Sequence, residues 1–334
     1  MPPARRRRLA LLVTLAVGAV VAVPLVWPQV IGAQRWLAVA LPISFRAPLA
    51  LGLLALALLA AVVALARRRL AIAAGVAMVL AVAALGNGLV LLARGGGGPV
   101  GEGDLTVAAW NTYGGGASPE SIARFIRETG ADVVSLPETD ARAAAAVVGI
   151  LARDGIAMTA DTVTADPGDD PIPTSILISD ALGPYVLDTT AGSTPGVPSG
   201  VWRPADGTGP TLVAAHPLPP LPLIVDEWSA GIDWVARQCV GADVILAGDL
   251  NATLDHLSGL GVGDGTVGEC RDAAQDAGSA ARGTWPVRLP PALAAPIDHV
   301  LVGSAWSVRG FEVRTDFDDA GSDHRPVVAV LARR

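Results

Sequence analysis

An aspartate and an asparagine lie two positions apart, directly after an apolar run. The run covers residues 242–247, and Asp249 and Asn251 follow it in the segment Gly-Asp-Leu-Asn. Side chains of a β-strand alternate between its two faces, so these two side chains share one face. A carboxylate can orient or deprotonate a water molecule, and an amide can donate to a phosphate oxygen. The pair therefore marks the start of a candidate active site.

Further polar side chains follow or open other strand-like runs. They are two amide or acid groups, two histidines and two aspartates: Asn111, Glu138, His216, Asp298, Asp323 and His324. Carboxylate and amide oxygens are the ligands that Mg²⁺ prefers, and an imidazole can contact a negatively charged substrate. The set predicts a metal-dependent site that cleaves phosphoesters.

Six short motifs occur in one order along the chain. They are Trp-Asn at 110–111, Leu-Pro-Glu-Thr at 136–139, Ala-Ala-His-Pro at 214–217, Gly-Asp-Leu-Asn-Ala at 248–252, Pro-Ile-Asp-His-Val at 296–300 and Ser-Asp-His-Arg-Pro at 322–326. In this order they resemble the endonuclease/exonuclease/phosphatase superfamily, which includes deoxyribonuclease I, apurinic endonucleases, neutral sphingomyelinases and inositol polyphosphate 5-phosphatases. The resemblance covers residues 105–331. Two positions depart from many members, since Pro137 replaces a glutamine and Pro296 an arginine.

The resemblance implies a divalent metal with oxygen ligands. Glu138 is the first ligand that it implies, with Asn111 on the metal or on a metal-bound water and Asp323 as a further ligand. The expected ion is magnesium, with manganese as the alternative.

The remaining motif residues are expected to act on water and phosphate. Asp249 would orient or deprotonate the attacking water, and Asn251 would donate to a phosphate oxygen. His324 would contact the scissile phosphate, and Asp298 would keep it cationic because a paired carboxylate raises the pKa of an imidazole. The resemblance places His216 on phosphate as well.

Four other features are expected to be structural or are left with two alternatives. His299 neighbours Asp298 on a predicted strand, points to the opposite face and is expected to pack. His256 lies in no motif and is expected in solvent. Residues 318–319, two aspartates, are expected in a solvated turn, with a role at the rim of the site as the alternative. Trp285 fits the wall of the site and the core equally well.

The runs that carry these residues alternate between strand and helix. Residues 104–111 predict a strand, and Ser118, Pro119 and Gly130 mark the start and end of a helix. Later runs predict strands at 131–136, 175–179, 211–215, 297–302, 307–314 and 327–331, and helices at 139–153 and 223–239. This α/β pattern with antiparallel returns fits the four-layer α/β sandwich, of the deoxyribonuclease I type, that the resemblance implies.

Charge divides the chain into two parts. Residues 1–99 contain ten arginines and no acidic residue, whereas residues 100–334 contain all 31 acidic residues and fourteen arginines, a net charge of −17. The chain has no lysine. The second part therefore lacks the basic stripe that follows a nucleic-acid backbone.

The first part, residues 1–94, is predicted to span a membrane three times. Uncharged runs at 9–27, 48–66 and 70–92 are each long enough to cross a hydrocarbon core of ~30 Å. Arginines at 5–8 and 67–69 place the N-terminus in the cytoplasm by the positive-inside rule, and everything after residue 94 outside. A signal peptide cleaved after residue 40 is the alternative for the first run, although its apolar part is long for one.

A glycine-rich linker, residues 95–103, is expected to free a catalytic domain, residues 104–334, from the bilayer. Cys239 and Cys270 are the chain's two cysteines, and both lie in the part expected outside. An even number of cysteines in an oxidising compartment predicts a disulfide, with two separate buried thiols as the alternative.

Three functional classes remain for this sequence. The first is a metal-dependent phosphoester hydrolase anchored in the bilayer, whose substrate is a lipid head group, a cell-envelope phosphodiester or, less favoured by the charge, nucleic acid. The second, a calcineurin-like metallophosphatase, lacks its Gly-Asp-x-x-Asp and Gly-Asn-His elements here. The third is a non-catalytic binding module on the same fold, which would not need all six motifs.

Overall fold

The computed structural model describes residues 3–67, 70–164 and 172–334. The chain divides into two compact units, Met1–Ala93 and Arg94–Arg334.

The first unit is helical. Its elements are α1 (Pro3–Val26), a 3₁₀ turn (Pro28–Ile31), α2 (Leu37–Ser44), α3 (Arg46–Arg67) and α4 (Leu70–Arg94), whose last residue opens the second unit. Three stretches within α1, α3 and α4, with mean hydropathies of 2.4 to 2.8, are long and apolar enough to cross a membrane: Arg5–Val26, Arg46–Ala66 and Ala71–Arg94. Three such helices were predicted, whereas α2 was not. The predicted basic cluster at 67–69 extends outside the described residues.

A buried polar pair ties the ends of these helices together. The guanidinium of Arg46 donates to Oδ1 of Asn87 at 2.6 Å and to the carbonyl of Val26 at 3.2 Å. The amide of Asn87 donates to the carbonyl of Leu25 at 3.2 Å. The last carbonyls of α1 have no partner within that helix, so these donors satisfy them where water is scarce.

The second unit contains two six-stranded sheets. The first sheet has the order β11-β12-β1-β2-β4-β3 and the second β5-β6-β7-β8-β10-β9. The strands are β1 (Leu105–Ala109), β2 (Val133–Pro137), β3 (Met158–Val163), β4 (Thr174–Ser179), β5 (Tyr185–Leu187), β6 (Gly200–Pro204), β7 (Thr211–Ala215), β8 (Val244–Asp249), β9 (Arg271–Asp272), β10 (Asp298–Val302), β11 (Trp306–Val313) and β12 (Val327–Arg333). The helices are α5 (Pro119–Thr129), α6 (Ala141–Arg153), α7 (Val225–Gln238), α8 (Leu254–Leu257) and α9 (Ala273–Asp276).

Two cores hold these layers together. One lies between the sheets and contains side chains of both, such as Val107 of the first and Ile245 of the second. The other lies under α5 and α6, where Trp110, Phe125 and Phe317 pack edge to face with ring centroids 5.4–5.6 Å apart. Helix α7 covers the second sheet with a buried apolar face. The predicted four-layer α/β sandwich is confirmed.

Strand direction brings the candidate site residues to one edge. Strands β1 and β2 are parallel, as are β7 and β8, so their carboxyl ends share an edge. Strands β10 and β12 are antiparallel to these neighbours, and their first residues reach the same edge. The residues found at or next to these strand ends are Asn111, Glu138, His216, Asp249, Asp298 and His324.

The glycine-rich segment differs from the free linker that was expected. The amides of Gly97 and Gly101 donate to the carbonyls of Gly278 and Arg309 in the second unit at 3.0 and 2.9 Å. At Gly95, with φ of +72°, a Cβ atom would lie 2.1 Å from the carbonyl oxygen of Gly278. The glycines therefore allow close backbone contact, a use of glycine that composition does not distinguish from flexibility.

Cys239 and Cys270 form a disulfide with their Cα atoms 5.3 Å apart. The bond joins the end of α7 to the loop before β9, and both residues are fully buried. It closes a loop of 31 residues. Cross-linking a loop of that size lowers the entropy of the unfolded chain by an amount typically worth ~3–4 kcal/mol.

Candidate active site

Asn111 joins two acidic groups across the two sheets. Its Nδ2 donates to Oε1 of Glu138 and to Oδ2 of Asp249, each at 3.0 Å. Its Oδ1 accepts from the backbone N–H of Tyr113 at 2.9 Å, which fixes the orientation of the amide. Asn111 follows β1 of the first sheet, and Asp249 ends β8 of the second, so this buried amide holds the two halves of the site in register.

His324 lies between two buried carboxylates. Its Nδ1 is 2.9 Å from Oδ2 of Asp298, and its Nε2 is 3.6 Å from Oδ2 of Asp249. Burial alone would lower the pKa of His324, but the charges of Asp298 and Asp249 and the hydrogen bond to Asp298 raise it to about 10. These surroundings favour the cationic form of the imidazole at neutral pH.

Asp249 is a carboxylate with an enhanced affinity for protons. It is 1% exposed, and burial raises its pKa, helped by the charge of Asp298 and opposed by that of His324. One of its oxygens accepts from the backbone N–H of Asn251 at 2.8 Å. A buried carboxylate with a raised pKa has the chemistry of a general base.

His216 differs from His324 in charge. Its Nε2 lies 3.9 Å from Oε1 of Glu138 and 3.9 Å from Oδ2 of Asp249, too far for a hydrogen bond. Burial lowers the pKa of His216, although the charge of Asp249 opposes this. The site thus combines a cationic imidazole with a neutral one, a division that the sequence did not predict.

Glu138 and Asp323 present carboxylate oxygens with different surroundings. Glu138 adopts a left-handed backbone with φ of +59°, and its side chain is 25% exposed. Asp323 accepts from Nε1 of Trp285 at 2.8 Å through Oδ2, whereas its buried Oδ1 has no hydrogen-bond partner among the described residues. An unpartnered buried carboxylate oxygen fits a hard, oxygen-seeking cation.

A second group has the geometry to hold a metal. One ligand atom each from Asp249, Asp298 and His324 lies within 4.8 Å of the others. Oδ1 of Asp298 also lacks a hydrogen-bond partner in the described part of the chain. Nδ1 of His324 lies 2.9 Å from Oδ2 of Asp298, so a metal ion in this group would compete with that contact. Glu138 and Asp323 stay the ligands predicted from the sequence, whereas Asp249, Asp298 and His324 are the group whose ligand atoms lie close together in the described structure.

The side chain of Asn251 contacts the neighbouring loop. Its Nδ2 donates to the carbonyl of Pro217 at 3.0 Å, and the backbone carbonyl of Asn251 accepts from Nε1 of Trp228 at 3.1 Å. Its backbone is left-handed, with φ of +47°. The residue thereby ties the ends of β7 and β8 together.

One of the structural interpretations was wrong. His256 is fully buried, since its Nδ1 accepts from the backbone N–H of Thr253 at 2.9 Å and its ring packs against Trp228. Residues 318–319 lie in a turn as expected, and Asp318, with its side chain 31% exposed, also pairs with the buried guanidinium of Arg325 at 2.7 and 2.8 Å. Asp319 is exposed.

The other two interpretations are decided by contacts. His299 packs as expected, with Nδ1 2.7 Å from Oδ2 of Asp272 and Nε2 2.8 Å from the carbonyl of Ala252. Trp285 lines the site, because it donates to Asp323 and its ring centroid lies 6.3 Å from that of His324.

Ser322 belongs to the site and was not predicted. Its hydroxyl donates to the carbonyl of Asn111 at 2.6 Å and accepts from the backbone N–H of His324 at 3.0 Å. It thus fixes the loop that carries Asp323 and His324 to the end of β1. The sequence feature that could have identified it is its position at the head of the Ser-Asp-His-Arg-Pro motif.

Comparisons with known proteins place this arrangement in context. A model of the endonuclease/exonuclease/phosphatase family matches residues 108–324. The crystal structure of humanized D. rerio TDP2 carrying 14 mutations aligns with a TM-score of 0.52 at 16% identity, over 68% of this chain and 98% of that one. An endonuclease/exonuclease/phosphatase from Beutenbergia cavernae aligns with a TM-score of 0.51 at 20% identity, over 70% and 72% of the two chains.

D. rerio TDP2 complexed with a single-strand DNA product aligns with a TM-score of 0.50 at 16% identity, over 68% of this chain and 98% of that one. No curated protein sequence matches the chain. At these identities the structural likeness shows the fold.

Proposed function

The chain belongs to the endonuclease/exonuclease/phosphatase family and is a phosphoester hydrolase, and we propose that it works with a divalent cation on the outer side of a membrane. The observation that carries the proposal is the bridge from Asn111 to Glu138 and Asp249, beside the imidazolium of His324. The bridge links a carboxylate that can bind a cation to a carboxylate that can activate a water molecule, and a positive charge lies beside them.

The residues of the site divide the work of phosphoester cleavage. Asp249 orients the attacking water and takes its proton, since burial has raised its affinity for one. His324, held cationic by Asp298, stabilises negative charge on the phosphoryl oxygens. His216, neutral, donates to the same oxygens as a hydrogen-bond donor.

Glu138 and Asp323 would hold the cation, with Asn111 fixing the position of Glu138. Bound there, magnesium or manganese would supply positive charge to the phosphoryl oxygens. That charge would offset the repulsion between an anionic substrate and a unit with a net charge of −17 from residue 100 onward.

The orientation follows from charge and redox chemistry together. Arginines 5–8 and 67–69 favour a cytoplasmic side for the start of α1 and for the connection between α3 and α4. Three crossings then leave the second unit outside, and its disulfide is typical of an oxidising compartment. A phosphatase reporter fused at the C-terminus should be active in intact cells, and an inactive reporter would reverse the orientation.

The substrate class follows from the anchor and the charge. A chain with three membrane-crossing helices meets lipid head groups and envelope phosphodiesters, and its acidic second unit lacks a basic track for nucleic acid. A nuclease is the second candidate, because one solved structure of this fold, D. rerio TDP2, is complexed with single-strand DNA.

One assay tests the proposal. The full chain in nanodiscs is given Mg²⁺ or Mn²⁺ with phospholipid vesicles, plasmid DNA or bis-(4-nitrophenyl) phosphate. Activity should require the metal and should fall by roughly 10³-fold in Glu138→Gln. The matched control is Glu312→Gln, at an exposed position on β11. Full activity in EDTA would refute the metal, and cleavage of DNA alone would favour the nuclease.

A further inference from the structure

A rigid apolar loop begins directly after His216 of the site. The 217–224 loop contains four prolines and no charged residue. Proline fixes the backbone φ, so a segment with this many prolines pays little conformational entropy for holding one shape. The carbonyl of Pro217 accepts from Asn251, which attaches the start of the loop to the end of β8.

The tip of this loop presents leucine to solvent in an unfavourable conformation. Leu223 is 97% exposed and has φ of +76°, and Leu221 is 47% exposed. Leucine rarely adopts a left-handed backbone conformation. Single exposed leucines are common on protein surfaces and do not require that conformation. Nothing in the described fold is covered by this side chain, so the conformation serves to project it outward.

A second exposed apolar side chain lies close in sequence to another site residue. Tyr113 follows Asn111 by two residues, is 59% exposed and has φ of +57°. Asn111 and His216 both lie in the site, so the loops that carry Tyr113 and Leu223 leave the site from two sides. Two loops that start at site residues, one at Asn111 and one at His216, thus each carry an exposed apolar side chain on a left-handed backbone.

We propose that the 217–224 loop inserts into the lipid surface of the bilayer, with Leu221 and Leu223 in its interfacial region, and so brings the site to phosphoesters of lipid head groups. The chain itself carries the feature that would bring this loop to a bilayer. The second unit begins at Arg94, where the third stretch that is long and apolar enough to cross a membrane ends, so insertion of that stretch would tether the unit to a lipid surface. Apolar side chains beside a bilayer bury their area in its interface.

The charges near the loop indicate which kind of lipid surface it would contact. Asp226 and Glu227, both exposed, follow the loop directly, and no arginine lies between residues 204 and 236. Acidic groups at this position disfavour an anionic surface, since membrane binding by charge needs a basic patch. The loop is therefore suited to zwitterionic lipid such as phosphatidylcholine.

The choice of a lipid substrate rests on the proposed hydrolase function, but the insertion is measured without activity. Both native cysteines are in the disulfide, so Leu223→Cys gives a single site for a bimane label. The full chain carrying this label is placed in phosphatidylcholine nanodiscs with and without doxyl-labelled lipid. The matched control is Val186→Cys, 55% exposed on β5. Quenching at 223 but not at 186 supports insertion, and equal quenching or none at both refutes it.

Two further variants connect insertion to catalysis. Leu221→Ser with Leu223→Ser should slow hydrolysis of a phospholipid in vesicles by roughly tenfold, because two apolar side chains lose their burial, and should leave bis-(4-nitrophenyl) phosphate hydrolysis unchanged. Equal loss on both substrates would overturn the proposal. If no phosphoester is cleaved at all, the hydrolase function fails while the quenching result stands.

Leu223→Gly separates insertion from folding. Glycine accepts a φ of +76° without strain, so this variant should unfold at the same or a higher temperature while its vesicle activity falls. A lower unfolding temperature would show that Leu223 packs within the fold and would contradict the proposal.

Discussion

Two buried histidine–aspartate pairs arise from adjacent residues of one strand, and only one of them belongs to the site. Asp298 and His299 point to opposite faces of β10, where Asp298 binds His324 at 2.9 Å and His299 binds Asp272 at 2.7 Å. In both pairs burial opposes the imidazolium, and the partner carboxylate raises the pKa of the histidine above 6.5.

The pairs differ at the second ring nitrogen. Nε2 of His299 is 2.8 Å from the carbonyl of Ala252, so both nitrogens of that ring are occupied by the protein. Nε2 of His324 is 3.6 Å from Asp249 and 4.0 Å from Asp323, beyond hydrogen-bond distance of either. A charged histidine can act on a substrate only if the fold leaves one nitrogen available, and this holds for His324 alone of the two.

The largest expected effect separates the two faces by activity. Asp249→Asn removes the proposed base and should lower kcat by about 10³–10⁴-fold, at the upper end for general-base catalysis. Asp272→Asn makes the same chemical change on the packing face and should leave kcat per folded molecule within about twofold. Steady-state rates on bis-(4-nitrophenyl) phosphate, normalised to folded protein, measure both. Equal losses would mean that the two faces do not differ in function.

The second effect concerns stability, and here Asp272→Asn is expected to cost more than Asp249→Asn. Asp272→Asn leaves a buried imidazole beside a group that no longer carries charge, and breaking such a pair typically costs about 3–5 kcal/mol. Asp249→Asn should cost less, because burial raises the pKa of Asp249 and its charge is unfavourable where it lies. Thermal unfolding of the two variants in the same detergent decides this, and a more stable Asp272→Asn would contradict it.

A smaller effect tests how Asp298 acts. Asp298→Asn keeps the side chain's shape but removes its charge, so His324 should lose its proton at lower pH. The rate should fall by roughly 10–100-fold at neutral pH, and the decline of activity at high pH should move toward neutrality. A pH–rate profile shows this shift. An unchanged profile with a lower rate would mean that Asp298 only positions the ring.

The sequence predicted the residues that meet at the edge of the sheets because their signal is local. Each candidate lies within four residues of an apolar run, and strand direction does the rest once β1 and β2, and β7 and β8, are parallel. The helix start at Ser118 is local in the same way, since its hydroxyl accepts from the N–H of Ser121 at 3.2 Å. Such features depend on three or four residues, which a single sequence contains in full.

The features that were missed depend on partners far along the chain. Trp228 of α7 buries His256, and Arg325 pairs with Asp318 through a guanidinium that is 1% exposed. The edge strand β3 is polar and half-exposed, so its run lacks the apolar alternation that predicts a strand. The charge difference between His216 and His324 depends on distances to three carboxylates, which only the folded structure contains.

The smallest effect compares the two histidines by the pH dependence of stability. The pKa of His299 and that of His324 are both raised above 6.5, so each contributes stability that is complete below pH 6.5 and is lost as the pH rises through its folded value, about 10 for His324. The unfolding temperature of the wild type should therefore fall as the pH rises above 6.5. His299→Gln and His324→Gln should each flatten that curve, because each removes one proton that the folded chain holds more tightly than the unfolded chain. Only His324→Gln should abolish turnover, and a curve that keeps its slope in both variants would mean that neither histidine is an imidazolium in the folded protein.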